Sequence, residues 1–160
     1  AKGFDMKVLY YDTRRRPDLE KKLQVQYVDL KTLLAASDFV TVHTPLLPET
    51  RHLIGQEQFK MMKKTVILVN TARGSIVDPK ALYKALRDKR IAYAALDVTE
   101  PEPIPPDDPL LKLHNIVIAP HIASASVATR TRMAMMAVDN LLAGLKGEKP
   151  PHIVNPEVLT

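Results

Sequence analysis

Short apolar runs and helix-spaced patterns alternate along this chain almost from its first residue. Runs rich in Val, Ile, Leu and Ala predict strands at residues 7–11, 25–28, 39–43, 65–70, 93–98 and 115–119. Several of these runs are nearly continuous rather than alternating, the pattern of strands covered on both faces. Helical patterns fall between them, at residues 29–36 and 78–90, the second opening with Asp78 as N-cap and Pro79 at the first helical position. The clearest helix is predicted over residues 126–145. There Val127, Ala134, Val138, Leu141, Leu142 and Leu145 recur at helical spacing, Ser126 is placed to cap, and Gly144 or Gly147 marks the stop. Met133, Met135 and Met136 read as packing residues of that helix. Such β-α alternation predicts an α/β fold built on a doubly wound parallel sheet.

The remaining segments are connections. EPEPIPPDDP, residues 100–109, is too rich in proline to be helix interior or central strand. The last residues, 148–160, are expected to run extended over a surface as a C-terminal tail, which leaves 1–147 as the domain proper.

A chain of 160 residues can bury one good core, and 46% hydrophobic with 26% charged residues is ordinary for a globular protein. The net charge of +5 is modest. Its dense basic runs, Arg14-Arg15-Arg16 and Lys63-Lys64, have no interleaved aromatic residues, so a nucleic-acid partner is not expected. No apolar run approaches the roughly 18 residues that span a bilayer, so no membrane partner is expected either, and a cytoplasmic location is. The absence of cysteine excludes disulfides and thiolate metal sites, and no metal is expected.

Open parallel sheets place ligands outside the carboxyl ends of their strands, and there the polar residues gather. Thr44 and Pro45 follow the third strand, and Thr71 and Arg73 the fourth. Asp97 ends the fifth, followed by Glu100 and Glu102, and Pro120 and His121 follow the sixth. A cation, several carboxylates and a histidine therefore converge on one edge. A dinucleotide-binding sheet should also open with a strand, a G-x-G-x-x-G loop and a helix, followed by a second strand ending in an acid. The second strand is present as KVLYYD, ending in Asp12, but none of the five glycines forms that loop. Residues 1–5 read as the tail of the helix that should follow it. The expectation is a dinucleotide-binding domain over 1–147, Rossmann-like and truncated at its N-terminus. It would lack its first strand, the glycine loop and most of the first helix.

Five motifs together, LYYD, DFVTVHTPLLPETRHLI, MKKTVILVNTARGSIVD, ALDVTEPEP and NIVIAPHIASAS, resemble the D-2-hydroxyacid dehydrogenase family, most closely its glyoxylate and hydroxypyruvate reductases. The resemblance is to the C-terminal half of that family only, with the N-terminal substrate-domain segment absent. It implies an oxidoreductase that interconverts a small 2-keto acid and its D-2-hydroxy acid by hydride transfer. It also implies a catalytic trio: Arg73 holding the substrate's carboxylate and keto oxygen, His121 donating a proton to that oxygen, and Glu102 pairing with the imidazole.

The residue types suit those roles. A guanidinium fork matches a carboxylate bidentately. Histidine, with an ordinary pKa of about 6.5, suits an acid that must protonate a ketone oxygen near neutrality. Formate dehydrogenases resemble the same pattern but carry glutamine where Glu102 stands.

For the cofactor, the resemblance implies contacts from Pro45, Thr50, Thr71, Arg73, Asp97, His121 and Ala123, with His43 contributing backbone nearby. Family members often carry glycine where Ala123 stands, and the extra methyl would tighten the nicotinamide pocket. Asp12 should accept the adenosine ribose hydroxyls and repel a 2′-phosphate, which favours NAD. Arg14 and Arg15 would attract that phosphate instead, so NADP is the second choice. His52, His114 and His152 are read as surface histidines without chemistry. The resemblance implies a homodimeric parent, and a small anionic keto or hydroxy acid as the partner molecule. The competing readings are a non-enzymatic NAD-binding regulator of the corepressor type and an inactive fragment.

Overall fold

The computed structural model describes residues 1–159 of the chain. Its elements run β1 (Leu9–Tyr10), α1 (Pro17–Leu23), β2 (Gln26–Tyr27), α2 (Leu30–Ala36), β3 (Phe39–Val42) and α3 (Gln56–Met61). They continue as β4 (Ile67–Asn70), α4 (Pro79–Arg87), β5 (Tyr93–Leu96), β6 (Ile116–Ile118) and α5 (Val127–Leu145). Strands β1 and β2 form a parallel pair, and β3-β4-β5-β6 form a parallel sheet in chain order. Each predicted strand is present but shorter than its apolar run, because the ladder covers only part of the run. Residues 1–5 form no α-helical turn. A short 3-10 turn at Lys2–Phe4 stands where the end of a helix was expected.

The helices begin where their caps require. Asp29 accepts from Thr32 N at 2.8 Å at the head of α2. Asp78 accepts from Lys80 N at 2.9 Å and Ala81 N at 3.2 Å at the head of α4. Ser126 Oγ accepts from Thr129 N at 3.1 Å at the head of α5. Each satisfies backbone donors that a helix N-terminus leaves open.

The chain divides into two compact units, one covering Ala1–His121 and the other beginning at Ile122. The core of the first joins one face of the four-stranded sheet to its helices. Val40, Val42, Leu68, Ala94 and Leu96 from the strands meet Leu34, Phe59, Leu82 and Leu86 from α2, α3 and α4. The expectation of strands covered on both faces is not met. Burial alternates along β3 and β4, and Phe39, Tyr93 and Val117 on the opposite face are exposed. These apolar runs are continuous in composition but bury one side chain in two.

The second unit carries α5, then irregular chain with a 3-10 turn at Pro156–Leu159. Asn140 ties that chain back to α5, accepting from His152 N at 2.9 Å and donating to His152 O at 3.2 Å. Thr160, the end of the expected tail, lies outside the described residues. Met133 and Met135 do not pack as expected, being more than half exposed, and no residue of α5 is buried.

Phe59 is 2% exposed at the centre of the first unit's core. Truncating it leaves a cavity that the sheet cannot collapse to fill. Phe59→Ala is expected to lower unfolding free energy by about 3–5 kcal/mol, read from the midpoint of urea denaturation.

Candidate active site

Register decides what the strand ends share. Val42 lies opposite Asn70, and Asn70 opposite Leu96. The chain therefore leaves β3, β4 and β5 at one level, and the loops that follow lie side by side.

The loop after β4 is shaped by Asn70, whose side chain is fully buried. Its Nδ2 donates to Arg73 O at 2.9 Å, and its Oδ1 accepts from Ala72 N at 3.0 Å. One amide thus satisfies both sides of the turn and fixes the backbone of Arg73, which stays exposed with Nη1 donating to Ala72 O. Gly74 follows against the loop after β5. A Cβ there would lie 1.9 Å from Thr99 O, so no other residue fits without moving one of the two loops.

That contact leads directly to Glu102, three residues past Thr99. Glu102 Oε1 accepts from His121 Nδ1 at 2.6 Å, and its Oε2 lies 3.4 Å from Thr99 N. The His121 hydrogen bond is the largest influence on Glu102 and holds its carboxyl below the ordinary range. Partial burial opposes this, while Thr99 N–H and the charges of His121 and Arg73 assist. An ionised carboxylate only accepts, so Nδ1 carries the proton and Nε2 is left for chemistry. His121 adopts φ 57°, in the left-handed region that side chains disfavour, and its backbone N–H donates to Asp97 O at 2.9 Å. The structure thus brings Arg73, Glu102 and His121 to one edge.

Of the residues expected at the cofactor, Pro45, Thr50, Thr71, Arg73, Asp97 and His121 end or follow strands of the first unit's four-stranded sheet, and Asp12 follows β1. A cavity of about 530 Å³ opens between residues 43–46, after β3, and Thr71, Ala72 and Arg73, after β4. Its volume is that of an ordinary small-molecule site, with room for the nicotinamide end of a dinucleotide. Within its lining, Thr44 Oγ1 is the buried side-chain polar atom without a partner among the described residues, an unmet hydrogen bond at the wall of the cavity. Thr50 accepts from Leu47 N at 2.7 Å and donates to Pro45 O at 2.6 Å, so its hydroxyl closes its own loop. Asp97 is 7% exposed at the end of β5. Ala123 falls in the second unit and is exposed.

Asp12, past β1, accepts from Arg14 N at 3.0 Å. That bond above all lowers its carboxyl below the usual range. Arg15 and Arg16 are held bidentately by Glu20 and Asp18. These residues fit the adenosine end of NAD, with an ionised acid where ribose hydroxyls would be bound.

A model of the D-isomer specific 2-hydroxyacid dehydrogenase NAD-binding domain matches residues 1–123. The chain belongs to that family. It is 62% identical over 159 residues to a glyoxylate reductase of Korarchaeum cryptofilum, covering 99% of this chain and 48% of that protein. To glyoxylate/hydroxypyruvate reductase B of Escherichia fergusonii it is 49% identical over 156 residues, covering 98% and 48%. The NAD-complexed D-isomer specific 2-hydroxyacid dehydrogenase of Lactobacillus delbrueckii ssp. bulgaricus superposes with a TM-score of 0.86. Identity there is 38%, covering 96% of this chain and 50% of that one. The chain thus spans about half the length of the relatives it matches.

Two features escaped the residue-level reading of the sequence. One is Asn70, visible only as the last residue of a strand. The other is His52, read as a bland surface histidine, whose Nε2 in fact lies 2.7 Å from Glu100 Oε2. Its partner is 48 residues away, and no local pattern announces such a pair.

Two outcomes follow for this site. Gly74→Ala should destabilise the chain by about 2–3 kcal/mol through forced separation of the two loops, measured by urea unfolding. The second concerns pH. Because the folded Glu102 carboxyl is depressed, its contribution to stability is full above the ordinary glutamate pKa of about 4.3 and is lost as pH falls through the lower folded value. The stability difference between wild type and Glu102→Gln should therefore shrink as pH falls below about 4, in urea melts between about pH 5 and 3.

Proposed function

We propose that these residues form the catalytic end of an NAD-dependent reductase of small 2-keto acids, with glyoxylate or hydroxypyruvate as substrate, within a protein about twice this length. The observation that carries the reading is the 2.6 Å contact from His121 Nδ1 to Glu102 Oε1, on the edge that also carries Arg73. The names and identities of the relatives support the substrate class.

NADH, when bound, supplies hydride to the keto carbon. Arg73 receives the substrate's carboxylate and orients its keto oxygen, which a fork of donors does better than a point charge. Glu102 fixes the imidazole through Nδ1, so that Nε2 of protonated His121 can give its proton to the oxygen as negative charge develops there. Asp97 holds the His121 backbone through its carbonyl and would face the nicotinamide amide. Pro45, Thr50, Thr71 and Ala123 shape the cofactor's surroundings. An ionised Asp12 favours NAD over NADP, and of the two arginines expected to attract a 2′-phosphate, Arg14 and Arg15, the second is paired to Glu20 of α1.

The glycine loop and the substrate-domain segment belong to the rest of the longer protein. The exposed sheet face at Phe39, Tyr93 and Val117 supports a covering partner segment. The family resemblance supports a homodimeric, cytoplasmic parent.

The deciding experiment is NADH oxidation at 340 nm with glyoxylate and hydroxypyruvate, on a protein joining these 160 residues to the N-terminal half they are expected to follow. Wild type should turn over both acids. His121→Asn should lower kcat by about 10²–10⁴-fold, the usual worth of a positioned acid, and Arg73→Lys should chiefly raise KM for the keto acid. Turnover undiminished in His121→Asn would overturn the assignment.

A further inference from the structure

Glu100 stands where three strand-end loops meet. It belongs to the loop after β5, two residues before Glu102. Its carboxylate accepts from Arg51 Nη2 at 2.5 Å and pairs with His52 Nε2 at 2.7 Å, both on the segment after β3. A third hydrogen bond comes from Ser75, on the loop after β4. Backbone bonds join the same segments: His52 N donates to Ser75 O at 2.8 Å, and Ile54 N to Ile76 O at 3.0 Å. His52 is held at φ 52°, again in the left-handed region.

A carboxylate suits this junction because its two oxygens offer about four acceptor sites and no donor. Partial burial pushes the Glu100 carboxyl up, but the bonds from His52, Ser75 and Arg51 outweigh it, and the group stays below its ordinary range. As a stability device the cluster is weak. Arg51 is 54% exposed, and ion pairs of that kind contribute about 0–1 kcal/mol. Its effect lies in alignment. Ser75 is two residues from Arg73, Glu100 two residues from Glu102, and both run along the narrow contact at Gly74.

We propose that Glu100 is a positioning residue: through Arg51, His52 and Ser75 it locks the Arg73 loop to the Glu102 loop, and so sets the Glu102–His121 pair against Arg73. What that alignment serves rests on the reductase reading; the alignment itself does not.

The first test needs no turnover. In the 160-residue chain with ¹³C-labelled histidine, the His121 ring signal is assigned by its loss in His121→Asn. It is then compared at pH 7 between wild type and Glu100→Gln, which places an amide donor among three donors. The His121 signal is expected to move in Glu100→Gln while the melting temperature changes by only a few degrees. It should stay in place in Lys63→Ala, which removes a remote exposed ion pair with Asp38. Should Glu100→Gln fail to fold, Arg51→Ala and His52→Asn each remove one partner and carry the same expectation.

The second readout is kinetic, in the joined protein. Glu100→Gln should raise keto acid KM and lower kcat by about tenfold in kcat/KM, within the hundredfold that a misplacement of about 1 Å can cost. Glu100→Asp should fall between it and wild type. A wild type without turnover removes the reductase reading, and the ring signal then decides the positioning role alone. A His121 signal unmoved in Glu100→Gln, or in the two partner variants where that one does not fold, overturns the proposal.

Discussion

The contact between Gly74 and Thr99 sets the geometry of everything above it. Two loops that leave neighbouring strands meet backbone to backbone, so closely that a single methyl group would strike the Thr99 carbonyl. The approach is possible because β4 and β5 pair in parallel with Asn70 opposite Leu96, ending both strands at one level. It is kept in place from below by the buried Asn70 amide, which leaves neither side of the arginine turn unsatisfied. Arg73 precedes the contact on one loop and Glu102 follows it on the other. Their proximity is therefore a property of the backbone, and the side chains only have to fill the position it gives them.

The second unit and the opposite sheet face stand outside that constraint. In the first unit, α2, α3 and α4 bury one face of the sheet, while Phe39 and Tyr93 on the other stay open to solvent. An apolar sheet face of this kind ordinarily marks an interaction surface. This agrees with a chain that spans about half the length of its relatives. The core that supports Arg73 and Glu102 packs against the covered face.

What could be read from the sequence divides along the same physical line. Strand positions were legible because an apolar run is a local property, and two helix starts because Asp78 and Ser126 act on donors two or three residues away. Their depth of burial was not legible, since continuous apolar composition fits one covered face as well as two. Arg73, Glu102 and His121 could be singled out by their motifs and their places after strands. The 2.6 Å between the last two depends on a turn of the chain at His121 that composition does not record. Glu100 was visible as an acid after a strand, yet its tie to His52 joins residues 48 apart. Such a pair is specified by the fold, and only the fold displays it.

Charge gives the site its direction under the proposed reaction. Arg73 and the ionised Glu102 set opposite charges side by side on this edge. A keto acid brings one negative charge, and protonated His121 balances it. The anion and the catalytic proton therefore favour each other's arrival, as opposite charges at close range do. Transfer of that proton would leave a neutral imidazole beside the hydroxy acid, which keeps its carboxylate, while loss of hydride would leave the nicotinamide cationic, so the charge of the site as a whole is conserved. The tie between Glu102 and Nδ1 matters most at that step, because it keeps Nε2 as the nitrogen that gives the proton up.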